Sequence, residues 1–136
     1  MKRMTARVLT LLAVCLALQT LSGNGASAAP FSFNVVSGKW ARTDGTYTLE
    51  VRNVTSEGAV DVGYFNPNKI NVSESRIDTH KGLVRLFVKL QDKGYPGCTY
   101  TLYYYDEKDA LVGFYYQAAM DRTYEVIFLR KERPKP

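Results

Sequence analysis

The sequence is poor in residues that carry chemistry, since it has one histidine and two cysteines among 136 residues. A structural zinc site takes four ligands, drawn mostly from these two residue types. His80 lies in the hydrophilic stretch Asp-Thr-His-Lys-Gly, which is typical of an exposed turn. No nucleophile, base and orienting group can be assembled from neighbouring segments. The sequence therefore predicts a protein that is not an enzyme and that has no metal ion or other cofactor.

The chain also lacks an apolar run long enough to cross a membrane as a helix. Its most apolar stretch, residues 8–21, is shorter than the roughly 20 residues that such a helix needs. Three basic residues precede this stretch and the small-residue segment Ala26-Ser27-Ala28 follows it, which is the pattern of a signal peptide. We expect cleavage after Ala28, a single mature domain over residues 29–136, and a periplasmic or secreted protein without stable membrane insertion.

Little net charge is left once this leader is removed. The full chain has a net charge of +5, but residues 1–28 contain three basic and no acidic residues, so the mature chain has +2. Such a small charge argues against a nucleic-acid partner. The leader also contains Cys15, which leaves Cys98 as the single cysteine of the mature chain. An unpaired cysteine either stays buried and reduced or pairs with another chain, and burial is the more common outcome.

What the mature chain does contain is a two-residue alternation of apolar and polar side chains, interrupted every eight to twelve residues by turn-forming residues. Short connections make consecutive strands antiparallel. Eight strands in such a meander can close into a barrel, which removes unpaired sheet edges. The sequence thus predicts an all-β, eight-stranded antiparallel up-and-down β-barrel. The expected strands cover residues 33–40, 46–53, 59–65, 69–77, 83–91, 98–106, 111–118 and 123–131.

The last three predicted strands are apolar or aromatic on both faces. Tyr103, Tyr105 and Ile127, for example, oppose other apolar side chains on the same strands. A soluble protein seldom exposes a large apolar surface. We therefore expect the outer face of this tyrosine-rich sector to be covered, most simply by a second copy of the chain in a homodimer.

A sequence signature links the first and last strands. The motif Gly38-Lys39-Trp40 ends the first predicted strand, and Phe128-Leu129-Arg130 lies near the end of the last. A Gly-x-Trp followed by a basic residue on the final strand resembles the signature of the calycins, the superfamily of lipocalins, fatty-acid-binding proteins and avidins. The resemblance implies structural roles for Trp40, which would close one end of the barrel, and for Arg130, which would pack on the indole through a cation–π contact.

Within the calycins, the first third of the mature chain is similar to the avidins. The matching segments are Gly38-Lys39-Trp40, Asp44-Gly45-Thr46 and Gly63-Tyr64. By position, the resemblance implies that Thr46 and Tyr64 bind ligand, as the corresponding hydroxyl groups bind the ureido oxygen of biotin in avidins. Arg42 stands where avidins have asparagine, and the chain has one tryptophan where avidins have several. The sequence therefore does not predict biotin as the ligand.

The fourth predicted strand leaves two alternatives open. If Glu74 and Arg76 share the inner face with Val72, Arg76 joins Tyr64, Tyr104 and Tyr116 as a ligand-binding set inside the barrel. Alternatively, a bulge changes the inward face and places Ser73, Ser75 and Ile77 inside. The loop 92–98, with the turn sequence Gly-Tyr-Pro-Gly, also has two interpretations: a plain hairpin turn, or a lid or partner-contact loop.

Together these features predict an exported, calycin-like barrel that functions by binding. The first hypothesis is a carrier of a small molecule in a tyrosine-lined lumen, which requires a cavity of a few hundred cubic ångströms. The alternative is a protein-binding module, for instance an inhibitor of an exported hydrolase, because small exported barrels with that activity are similar in size and share the Gly-x-Trp motif.

Overall fold

A computed structural model describes residues 31–133 and residue 136 of the chain. It is an all-β, antiparallel, up-and-down barrel that is nearly closed, which confirms the predicted fold class. The sheet order is β4-β3-β2-β1-β9-β8-β7-β6-β5, so consecutive strands pair and the first strand pairs with the last. The strands are β1 (Gly38–Arg42), β2 (Thr48–Arg52), β3 (Asp61–Phe65), β4 (Lys69–Ile70), β5 (Val72–His80), β6 (Leu83–Leu90), β7 (Thr99–Tyr105), β8 (Ala110–Gln117) and β9 (Arg122–Glu132).

Nine strands are present where eight were predicted, because the predicted fourth strand divides at Asn71. The backbone N–H of Asn71 donates to the carboxylate of Asp92 at 3.0 Å, and its carbonyl accepts the N–H of Gln91. These bonds take Asn71 out of the sheet, so that β4 pairs with β3 and β5 pairs with β6. A register shift follows between Val72 and Glu74, as expected of a bulge.

This bulge decides between the two alternatives for the fourth strand. Ile77 is 3% exposed and points into the core, whereas Glu74 and Arg76 lie on the outer surface as an ion pair. Ser73, which the bulge alternative placed inside, is exposed. The hypothesis that Arg76 points into the barrel is therefore wrong. One extra residue reverses the alternation of a strand, and the sequence did not settle whether the bulge was present.

The chain enters the barrel through a short helix where a strand was predicted. Residues Phe33–Val36 form a 3-10 helix, and β1 begins only at Gly38. The indole Nε1 of Trp40 donates to the carbonyl oxygen of Val36 at 2.9 Å, which holds this turn against the end of the barrel. The predicted signal peptide, residues 1–28, lies outside the described residues.

Hydrogen bonds between β5 and the segment that leads into β3 join the two ends of the sheet. The N–H of Ile77 donates to the carbonyl of Gly58 at 2.8 Å, and the Ser75 hydroxyl donates to the carbonyl of Val60 at 2.8 Å. Gly58 has a φ of +92°, and a Cβ at this position would lie 2.0 Å from the carbonyl oxygen of Ile77. Closure at this point therefore depends on a residue without a side chain.

Aromatic and aliphatic side chains fill the barrel. Cys98 belongs to this core as a free thiol that is 1% exposed. In the part of the chain that the structure describes, every buried side-chain nitrogen or oxygen has a hydrogen-bond partner. The largest side chains of the core, each less than 2% exposed, are Trp40, Tyr64, Tyr100, Phe128, Leu49, Leu86, Leu90, Leu102 and Leu111.

On the outside, four large apolar side chains of β7, β8 and β9 are between 43% and 49% exposed. We call these residues the outer apolar face: Tyr105, Phe114, Ile127 and Leu129. The predicted homodimer through this sector stays a prediction. No helix within the described ranges is both long enough and apolar enough to cross a membrane.

Candidate functional site

The two ends of the barrel differ in chemistry, and the end where β1 begins is closed. The guanidinium carbon of Arg130 lies 4.0 Å from the centroid of the Trp40 ring. Its Nη1 and Nη2 donate to the carbonyl oxygens of Ser37 and Val35, so one side chain fixes both the indole and the entering helix. This arrangement is the one that the Gly-x-Trp signature implies for Trp40 and Arg130.

Asp109 anchors Arg130 at this closed end. Its carboxylate accepts the Nε–H of Arg130 at 2.8 Å and the hydroxyl of Tyr104 at 3.1 Å. Burial raises the pKa of Asp109, but the hydrogen bonds from Arg130 and Tyr104 outweigh this effect and hold the pKa below its ordinary value. Tyr104, which was predicted to bind ligand, thus supports the closed end, with its ring edge-on to Trp40 at 6.1 Å.

The opposite end, where β1 finishes, opens into a depression with a volume of about 410 Å³. We call this depression the mouth. Four of its side chains are tyrosines, and one is a cation. The residues that line it are Arg42, Tyr47, Gly94, Tyr95, Tyr115, Gln117 and Tyr124.

Arg42 lies at the centre of the mouth, with its side chain 10% exposed. Nε and Nη2 donate to the two carboxylate oxygens of Asp44 at 2.5 and 3.0 Å. This bidentate pair fixes the orientation of the guanidinium. The guanidinium carbon lies 4.4 Å from the ring centroid of Tyr47 and 5.6 Å from that of Tyr115. Burial by itself lowers the pKa of Arg42, but the hydrogen bonds and charge interactions with Asp44 and Tyr100 together outweigh burial, so that the pKa is raised and the group stays charged.

Two buried tyrosines form the floor of the mouth. The hydroxyls of Tyr64 and Tyr100 are 2.8 Å apart, and Nη1 of Arg42 donates to the Tyr100 hydroxyl at 3.0 Å. Burial raises the pKa of both tyrosines, which keeps their hydroxyls neutral. The Tyr100 ring also packs against Tyr115 at 4.8 Å and against Phe128 at 5.5 Å. These rings meet across the barrel, so the middle of the lumen is occupied by side chains.

Tyr100 links Arg42 to Tyr64, and its hydroxyl has a large expected contribution to stability. We expect Tyr100→Phe to lower the free energy of unfolding by about 2–3 kcal/mol, because the buried Tyr64 hydroxyl and one Arg42 N–H both lose their partner. Tyr64→Phe is the matched control and should cost only about 1 kcal/mol, since the Tyr100 hydroxyl keeps Arg42. Urea unfolding measures both values, and equal losses would contradict this arrangement.

The rim of the mouth is held by a chain of polar side chains. The exposed Thr46 donates its hydroxyl proton to Oδ1 of Asn66 at 2.8 Å, and Nδ2 of Asn66 donates to the Tyr95 hydroxyl at 3.1 Å. The Tyr95 ring lies edge-on to the floor residue Tyr64, with centroids 6.3 Å apart. The loop 92–98 is therefore fastened to the rim rather than extended into solvent.

Of the five residues predicted to bind ligand, two lie at the mouth end of the barrel, and neither is among the residues that line the mouth. Tyr64 is fully buried beneath them, and Thr46 is exposed on the rim. Arg76 lies outside, over the Phe87 ring at 4.2 Å. Tyr116 also points outward and donates its hydroxyl proton to Asp121 at 2.9 Å. On β8 the inward residues are Leu111, Gly113 and Tyr115, so the expectation that Tyr116 faces the lumen is wrong.

Sequence reasoning missed most of the mouth. Arg42 was noted only as a departure from the avidin pattern, although that pattern places a ligand-binding asparagine at this position. Tyr115 and Gln117 had no distinguishing signal, because both faces of β8 are rich in aromatic side chains. The Gly-Tyr-Pro-Gly turn did single out Tyr95.

In the part of the chain that the structure describes, no group of three or more histidine, cysteine or acidic side chains could hold a metal ion. The chain matches no protein-family model, and no curated protein or solved structure is significantly similar to it.

Proposed function

We propose that the protein is a non-catalytic binding protein with a calycin-like barrel, which takes a small ligand at the mouth. The observation that carries this proposal is the depression of about 410 Å³ around Arg42. Ligand sites commonly measure about 300–1,000 Å³ and combine aromatic walls with a few polar groups. The mouth has this composition, with four tyrosines beside Arg42 and Gln117.

The position of the site differs from the original hypothesis of a ligand within the lumen. The rings of Tyr64, Tyr100 and Phe128 pack against one another there and are fully buried, which argues for a ligand that contacts the side chains lining the mouth rather than one that lies between these rings. An enclosed ligand would have to separate the Tyr64 and Tyr100 hydroxyls, which lie 2.8 Å apart. The ligand therefore keeps one side exposed to solvent.

The calycin-like assignment is supported by two features at the closed end. Trp40 is fully buried, and Arg130 of the last strand covers the indole. The avidin-like part of the proposal is supported by the position of Thr46 and Tyr64 at one end of the barrel. Export through the N-terminal leader would place this binding protein in the periplasm or outside the cell.

Native mass spectrometry of the protein purified from its own host tests the proposal. We expect the wild-type protein to carry a small compound, and we expect Gln117→Ala and Tyr95→Ala to lose it. Tyr116→Ala is the matched control, because it removes an aromatic side chain from the outer surface, and it should keep the compound. Retention of the compound by both mouth variants, or its absence from the wild-type protein, would contradict the proposal.

A second candidate function, binding of a protein partner, is favoured by the outer apolar face. Three of its four exposed side chains, Tyr105, Phe114 and Ile127, border a groove of about 510 Å³ on β7, β8 and β9. A stable interface typically buries about 800 Å² on each partner, with aromatic residues at its centre. In the same mass spectra, a doubled mass would support the homodimer, and a heterologous protein of fixed stoichiometry would support a module such as an inhibitor.

A further inference from the structure

The charge at the mouth is balanced. Arg42 is the single charged residue that lines the mouth in the described part of the chain, and Asp44 pairs with it through two hydrogen bonds. An anionic ligand would meet the carboxylate of Asp44 beside the guanidinium, and a cationic ligand would meet a guanidinium that already occupies the space between Tyr47 and Tyr115. A net charge on the ligand therefore finds no unpaired opposite charge here.

The hydrogen-bonding groups of the mouth are mixed in kind. A tyrosine hydroxyl donates one hydrogen bond and accepts others, and the Gln117 amide has both a donor and an acceptor. A guanidinium has five N–H groups, and Arg42 directs two of its bonds to Asp44 and one to Tyr100, so that most of its hydrogen-bonding capacity is used within the protein. Such a set is matched by ligand groups that also donate and accept, and hydroxyl groups do both.

The aromatic walls provide flat apolar surface next to these polar groups. The rings of Tyr115 and Tyr124 lie at 25° to each other with centroids 6.4 Å apart, and Tyr124 is 39% exposed. The face of an aromatic ring carries partial negative charge, so it attracts the weakly positive C–H bonds of a ring that is laid against it. An open depression also suits a ligand that stays partly solvated.

A sugar is a small molecule of this kind, because its ring carries many hydroxyl groups and also has an apolar C–H face. From these observations we infer that the ligand of the mouth is a neutral saccharide, packed on the exposed ring of Tyr124 and hydrogen-bonded to Gln117. The inference rests on the proposed function, because it names the ligand class for that same site. It makes Gln117 and Tyr124 specificity-determining residues.

Nuclear magnetic resonance titration of the isotope-labelled protein tests this inference with four probes. Maltotriose and tri-N-acetylchitotriose are neutral saccharides, trigalacturonate is an acidic one, and biotin is not a saccharide. We expect at least one neutral trisaccharide to shift the amide signals of Gly94, Gln117 and Tyr124 in a saturable manner. Gln117→Ala and Tyr124→Ala should each weaken its binding about tenfold, which corresponds to about 1.4 kcal/mol.

The control Tyr116→Ala should leave the affinity for the trisaccharide within about twofold, because its side chain lies outside the barrel. Saturable shifts at the mouth with trigalacturonate alone or with biotin alone would overturn the inference of a neutral saccharide, but they would still support the proposed function. Failure of both neutral saccharides to shift any signal would also overturn the inference. Binding that shifts only signals of the outer apolar face would overturn the inference and the proposed function together.

Discussion

Replacement of Arg130 by alanine is expected to lower the free energy of unfolding by about 3–5 kcal/mol. The side chain is 7% exposed and has four roles: it covers the Trp40 ring, pairs with Asp109, and hydrogen-bonds the carbonyls of Val35 and Ser37. Its removal exposes the indole at the closed end and leaves two carbonyls without their charged donor. Urea unfolding, followed by the fluorescence of the single tryptophan and by circular dichroism, measures the loss.

Arg133 provides a matched control for this experiment. It reaches the same carboxylate of Asp109 at 3.0 Å, but its side chain is 72% exposed. Exposed ion pairs contribute only about 0.2–1 kcal/mol, so Arg133→Ala should change stability little. If the two variants lose equal stability, Arg130 does not close the barrel and the calycin-like account of this end is wrong.

The second large effect concerns the closure of the barrel at Gly58. We expect Gly58→Ala to lower the free energy of unfolding by about 2–5 kcal/mol, from about 1–2 kcal/mol of backbone strain at a φ of +92° together with a steric clash of about 1–3 kcal/mol. The clash is with backbone, since the new Cβ would lie 2.0 Å from the carbonyl oxygen of Ile77. The backbone must move, and the bond from the Ile77 N–H to the Gly58 carbonyl should weaken.

The variant Gly82→Ala is a control that measures the cost of backbone strain without any effect on the closure of the barrel. Gly82 has a similar φ of +78°, but no atom lies within 4 Å of an added Cβ. Its variant should therefore show only the cost of strain, about 1–2 kcal/mol. Amide hydrogen exchange adds a second readout, because the Ile77 N–H should lose protection in Gly58→Ala and keep it in Gly82→Ala. Equal stabilities and unchanged exchange in the two variants would rule out closure through Gly58.

The fold could be predicted from sequence because the alternation of apolar and polar residues and the positions of turn-forming residues indicate the same strands along most of the chain. On β6 every second residue is apolar and faces the core: Val84, Leu86, Val88 and Leu90 are all buried. The wrong predictions concern features that the alternation of apolar and polar residues does not indicate. The 3-10 helix depends on the hydrogen bond from the Trp40 indole, and the break at Asn71 depends on Asp92, which lies 21 positions away.

The candidate site was harder to predict because its residues come from distant parts of the chain. Arg42 and Tyr100 are 58 positions apart, and Asn66 and Tyr95 are 29 apart. Tyr64 was predicted to bind ligand through the resemblance to avidins, because that resemblance assigns roles to individual positions whereas composition does not. Tyr115 and Tyr116 could not be distinguished, since a strand with aromatic residues on both faces gives no sign of which one points inward.

A crystal structure of the protein together with the compound it retains from its own host tests the central claim most directly. We predict electron density for the compound against Arg42, Gln117 and Tyr124, with the Tyr64 and Tyr100 hydroxyls still in contact beneath it. Density for the compound in the middle of the lumen, between the separated rings of Tyr64 and Tyr100, would contradict the account.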